Sequence, residues 1–130
     1  MTLPIPSNPP TVSPPVGAYS HVVQVKAGSD LFYIAGQVGL TPEGVLPPSL
    51  EEQAEQAFAN IARILMAEGM TAANLVKLNL YIVMGHPAAT VRAARIKALG
   101  ADIKAASTLV YVPQLVEPKY LVEVEAVAAR

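Results

Sequence analysis

Apolar residues recur at Leu50, Ala54, Ala57, Phe58, Ile61, Ala62, Leu65 and Met66, one face of a 3.6-residue period. Ser49-Leu50-Glu51-Glu52 opens this stripe with the spacing of a capping box, and Gly69 stands where a helix can end in a left-handed residue. The pattern predicts a helix over residues 50–68. Elsewhere the period falls to two. Val22–Val25 and Leu31–Val38 are β-branched or aromatic runs separated by the turn-forming Lys26–Asp30, which predicts a β-hairpin. Gly36 inside the second run predicts a bulge or a close backbone approach. From Leu75 to Met84, Val76, Leu78, Leu80, Ile82 and Met84 alternate with Lys77, Asn79 and Tyr81, as in a strand. Ala88–Leu99 reads as a second helix stopped by Gly100, and Ser107–Val112 and Tyr120–Ala128 as the last two strands.

The order is thus β-β-α-β-α-β-β. Each helix joins two strands and is long enough to be a crossover, so both can pack on one face of one sheet. This predicts a two-layer α+β domain whose second sheet face has no helix left to cover it. An apolar open face is normally buried in an oligomer. Residues 1–15 hold six of the twelve prolines and read as an extended arm, leaving residues 16–130 as a single domain.

Composition narrows the picture. Apolar residues make up 52% of the 130 and charged residues 15%, which suits one packed core and excludes a disordered chain. So few charges fit either a buried subunit interface or a domain merely rich in alanine and valine. The net charge of -1 supplies no basic field for a nucleic acid. With no cysteine, disulfides, thiolate nucleophiles and cysteine-held metals are excluded, and His21 and His86 have no metal-like spacing to another ligand. No apolar run reaches the ~18 residues of a membrane span. The first fifteen residues lack the basic and apolar parts of a secretory signal, so a soluble, cytoplasmic protein is expected.

The last strand carries the most informative pair. Glu123 and Glu125 share one strand face, ~6–7 Å apart, while Val122, Val124 and Ala126 take the other. Two readings stay open: a solvated or lysine-paired face, with Lys77 as a partner, or a carboxylate lining a cleft and relaying a proton. Tyr19 is either a packing residue with a wet tip or a donor that places substrate or water. Ala106-Ser107-Thr108 is either ordinary strand-start chemistry or a hydroxyl-rich turn able to hold a carboxylate. Arg92, Arg95 and Lys97 read as a solvated basic side of the second helix. Phosphate-binding loops and the G-x-S-x-G elbow are absent from the sequence.

Five ordered segments together resemble the RidA/YjgF family of reactive-intermediate deaminases, also known through liver perchloric-acid-soluble protein. They are Pro15–Ser20, Leu31–Val38, Glu52–Ile61, Val76–Tyr81 and Leu121–Ala128. Ala18 stands where the family has proline. The resemblance implies a chorismate-mutase-like fold and a homotrimer, with a barrel-like centre and a small-molecule cleft at each subunit interface. It implies cofactor-free, metal-free hydrolysis of enamines and imines to keto acids and ammonia. Carried over by position, Tyr19 and Glu123 would place and activate water, and Gly36, Gln37 and Ser107 would wall the cleft. The family arginine that pairs with the substrate carboxylate is replaced by Ala106. Arg92 falls near a cleft-facing asparagine of the family and is either a substitute charge or a solvated helix residue.

Three functions follow as expectations. The first is a deaminase-type hydrolase, with imino-acid activity weakened by Ala106. The second is a non-catalytic metabolite-binding protein on the same fold. The third, ribonuclease activity, has neither a basic field nor an aromatic stacking platform behind it.

Overall fold

The computed structural model describes residues 2–130. Its elements are β1 (Ile5–Ser7), β2 (Val22–Gln24), β3 (Leu31–Gln37), α1 (Leu50–Ala67), β4 (Leu75–Val83), α2 (Ala88–Leu99), β5 (Ala106–Val112) and β6 (Val122–Ala129), with one 3₁₀ turn at Ala72–Asn74. The main sheet has the order β3-β6-β4-β5; β4 and β5 run parallel and the other pairs antiparallel. The α2 crossover makes that parallel pair, and α1 carries the chain from β3 past β6 to β4.

Both helices lie on one face. Phe58, Ile61 and Leu65 of α1 and Val91 and Ala94 of α2 share one core with Leu78, Leu80 and Ile82 of β4 and with Val122 and Val124 of β6. The ends of α1 follow local chemistry. The Ser49 hydroxyl accepts the Glu52 amide at 3.1 Å and donates to the Glu52 carboxylate at 2.9 Å. Gly69 takes a φ of 74° just beyond the helix. Buried Gln53 ties the loops at this end: its amide nitrogen donates to Pro47 O and Lys119 O, and its oxygen accepts the Leu121 amide.

The two-layer α+β architecture is as expected, and two details differ. Residues 22–25 do not form a hairpin with 31–38. Instead β2 pairs with β1, a strand inside the proline-rich arm, in the register Ile5 to Gln24, Pro6 to Val23 and Ser7 to Val22. A two-stranded ribbon has two free edges, so Pro6 is tolerated there without a central ladder bond. Meanwhile Asp30 exchanges backbone bonds of 2.8 and 3.1 Å with Arg130, which seats the start of β3 beside the end of β6. The second difference is a register shift between Leu75 and Lys77. It turns Leu75 into the core, leaves Val76 half-buried, and puts Met84 beyond the strand and exposed.

The helix-free face of the sheet is open in the single chain. Tyr33 on the β3 edge is 77% exposed there, and Val110 is exposed on the opposite edge strand, β5. No helix among the described residues is long and apolar enough to cross a membrane.

Candidate functional site

Strand parity places Glu123 and Glu125 on the open sheet face, opposite Tyr81 and Asn79 of β4. The Tyr81 hydroxyl donates to Glu125 Oε1 at 2.6 Å, and the Asn79 amide donates to the same oxygen at 3.1 Å. That bond, then burial, then the charges of Glu125 and Glu123 push the Tyr81 hydroxyl above the ordinary tyrosine range. Lys77 does not pair with either glutamate; its ammonium donates to the Thr108 hydroxyl at 2.8 Å.

Gly36 is needed at its position. The β3–β6 register shifts between Ile34 and Gln37, and the Glu123 side chain lies over the gap. A Cβ at Gly36 would stand 2.8 Å from the Glu123 carboxyl carbon. The missing side chain is what lets this carboxylate rest on the sheet face. The neighbouring Gln37 amide turns back onto the Ala35 carbonyl at 3.1 Å.

A second group gathers on the helix side of the sheet. Tyr19, Arg92, Arg95 and Ser107 line one cavity of about 90 Å³, with Leu80 and Leu109 at its base. Tyr19 is held by its hydroxyl, which accepts the Val16 amide at 3.3 Å, and by an edge-on contact with the His21 ring. His21 in turn binds the arm through the Ser13 carbonyl, so this histidine is structural.

Arg95 overturns its expected place on a solvated helix side. It is only 9% exposed and donates to the Ala18 carbonyl oxygen. The reason is tertiary: the Val16–Tyr19 segment covers this turn of α2. Burial, and then the adjacent Arg92 charge, pull the Arg95 guanidinium below its ordinary range. Arg92 remains exposed at the cavity rim, and Lys97 points elsewhere, paired with Glu55 of α1 at 3.0 Å.

Six of the seven residues singled out from the sequence fall into two groups, while Gln37 is turned back on the Ala35 carbonyl and joins neither. Tyr19, Ser107 and Arg92 share the helix-side cavity. Glu123 and Gly36 lie on the opposite sheet face, and Ala106 stands there too, registered against Lys77. Ser107 is registered against the core residue Leu78 and Glu123 against Tyr81, so adjacent parity keeps the groups on different faces of one chain. Arg95, Tyr81 and Asn79 were not singled out, and Glu125, expected to have Lys77 as a partner, is instead held by Tyr81 and Asn79. An arginine three residues after Arg92 was a visible signal, because i and i+3 share a helix face. Among the described residues no cluster of histidine, aspartate and glutamate is arranged to hold a metal.

Comparison with known proteins places this arrangement. Residues 10–130 match the endoribonuclease L-PSP family. A RutC family protein of Aquifex aeolicus is 39% identical over 74 residues, covering 56% of this chain and 57% of its own. The mouse 2-iminobutanoate/2-iminopropanoate deaminase is 39% identical over 69 residues, covering 52% of this chain and 49% of its own. The chain thus spans about half the length of the first curated relatives it matches. A RutC family protein of Pyrococcus horikoshii is 32% identical over 117 residues, 88% of each chain. Among solved structures, a Rid family protein of unknown function from Yersinia pestis is 32% identical with a TM-score of 0.85, covering 99% of this chain and 100% of its own. Over residues 10–130, from the arm to the last strand, the chain belongs to the endoribonuclease L-PSP family, the YjgF/RidA family.

Proposed function

We propose that this protein is a RidA-like hydrolase of small enamines or imines, working as a homotrimer with its sites at the subunit seams. The observation that carries the reading is the Glu123 carboxylate laid over side-chain-free Gly36 on an uncovered sheet face. Two of the relatives, from mouse and from the mite Dermatophagoides farinae, are named 2-iminobutanoate/2-iminopropanoate deaminase, and they supply the substrate class.

The two residue groups are complementary when they come from neighbouring copies. A seam that brings Glu123 of one copy to the Tyr19 and Ser107 cavity of the next has a base, a hydroxyl donor and cationic side chains. Glu123 takes a proton from water as the water oxygen bonds to the imine carbon. Glu123 returns that proton to the imine nitrogen, giving a neutral tetrahedral carbinolamine. Glu123 then takes the carbinolamine hydroxyl proton and passes it to the same nitrogen, the carbon–nitrogen bond breaks, and ammonia leaves as the carbonyl forms and the carboxylate is restored. Tyr19 orients the water or the substrate oxygen. No cofactor is required by this sequence of steps.

The test is ammonia release from imines generated in situ by an amino-acid oxidase. Wild type should exceed the buffer rate and Glu123→Gln should fall back to it. Ala106→Arg should raise the rate on small imino acids, because a guanidinium is the strongest holder of a carboxylate. A wild-type rate equal to buffer across several amino acids overturns the reading.

One observation favours a second reading. Ala106 puts a methyl group where the family's carboxylate-binding arginine stands, and loss of such a contact costs about 2–5 kcal/mol of binding. A metabolite-binding trimer without turnover would tolerate that change. Thermal stabilisation by keto acids without ammonia release would select it.

A further inference from the structure

Arg95 and Arg92 present two guanidinium groups, three residues apart on one helix face, to the same cavity. No acidic side chain lines that cavity. The one ion pair found among the described residues, Lys97 with Glu55, lies outside it. A cation as buried as Arg95 is costly unless an anion faces it. Its hydrogen-bond partner is a single neutral acceptor, the Ala18 carbonyl, while a guanidinium has five N–H donors. The Arg92 charge beside it adds repulsion that an anion would relieve. The remaining walls divide by chemistry: Ser107 adds a hydroxyl, and Leu80, Leu109 and Val16 add apolar surface. The volume, about 90 Å³, equals the liquid share of roughly three waters, enough for a carboxylate with a short chain and too little for a nucleotide.

We propose that Arg95 and Arg92 of α2, with Ser107, form a binding site for the carboxylate of a small, short-chain organic acid. This site supplies from the helix wall the positive charge that Ala106 lacks on the strand. Arg95 is the fixed element, anchored by Ala18 and pointing its remaining donors into the cavity. Arg92 at the rim closes over the second carboxylate oxygen. The apolar base receives the alkyl end of the ligand. The identity of the acid, a keto or imino acid, rests on the hydrolase reading above.

The test is calorimetric titration of the intact protein with 2-oxobutanoate, with its neutral amide and with inorganic phosphate. Wild type should bind 2-oxobutanoate and not the amide. Arg92→Ala should weaken binding about tenfold or more, the loss of one charged contact in a partly desolvated site. Arg95→Lys, which keeps a charge and can still reach the Ala18 carbonyl, guards against misfolding and should also lose about tenfold because an ammonium cannot make the fork. Arg63→Ala, on an exposed position of α1, should bind as wild type does. Unchanged affinity in both Arg92→Ala and Arg95→Lys overturns the proposal, as does equal binding of the amide, or binding of phosphate with 2-oxobutanoate inert. Ammonia release read in parallel separates the two readings. Arginine-dependent binding without turnover supports this site and removes the hydrolase, whereas turnover indifferent to both arginines overturns this site and leaves the hydrolase standing.

Discussion

The Tyr81 hydroxyl reaches diagonally across the β4–β6 ladder to Glu125 Oε1, 2.6 Å away, on the sheet face that no helix covers. The bond holds the tyrosine neutral, since a phenolate beside two carboxylates is repelled. Its folded pKa therefore lies above the ordinary value of 10.0. The linked stability is full below the unfolded value and is lost as the pH rises through the folded one. Tyrosinate absorbance, taken as wild type minus Tyr81→Phe, should show a midpoint above 10.0, and Glu125→Gln should lower it. An unchanged midpoint in Glu125→Gln would remove the bond from the account.

Gly36 and Gly39 make a paired prediction. A Cβ at Gly36 meets only the end of the Glu123 side chain, which can swing away. Gly36→Ala should leave the melting temperature nearly unchanged while removing most of the ammonia-releasing activity. A Cβ at Gly39 meets the Gln53 backbone at 2.6 Å, which cannot swing. Gly39→Ala should cost about 1–3 kcal/mol in urea unfolding. Equal stability loss at both positions would contradict the placement of Glu123.

Gln53 is buried and serves three backbone groups on two loops. Gln53→Leu keeps the bulk and leaves Pro47 O, Lys119 O and the Leu121 amide without their partner. The expected loss is about 2–4 kcal/mol, measured by chemical denaturation, because each unsatisfied buried group is expensive. A loss near zero would mean that water replaces the amide.

Sequence legibility followed local chemistry. The first helix was readable because its stripe is strongly periodic and Ser49 and Gly69 mark its ends. The face carrying Glu123 and Glu125 was readable because β6 alternates without a bulge. Strand β1 was hidden by Pro4 and Pro6, which argue against strand until a partner edge is supplied by β2. The β4 phase was misread at its start because the shift between Leu75 and Lys77 has no sequence marker. Arg95 was misplaced because the apolar residues of α2 are mostly alanines spread around the helix: Ala88, Ala89, Ala93, Ala94 and Ala98 give no contrast between faces. Its burial depends on the Val16–Tyr19 segment, a contact between residues 77 apart at Ala18 and Arg95.

If each site joins two copies, two impaired variants should rescue each other. Glu123→Gln and Arg95→Lys, each deficient alone, should recover activity when unfolded and refolded together. Random mixing in a closed ring leaves about a quarter of the seams with both wild-type residues. No recovery above the sum of the separate variants would place both groups' roles within one chain.

The open sheet face is the premise under every seam described above, and light scattering on the purified protein measures it without knowledge of any substrate. The account predicts the mass of three chains, held on dilution, and a shift toward one chain in Tyr33→Asp, which sets a charge on the exposed face. A wild-type mass of one chain would contradict it.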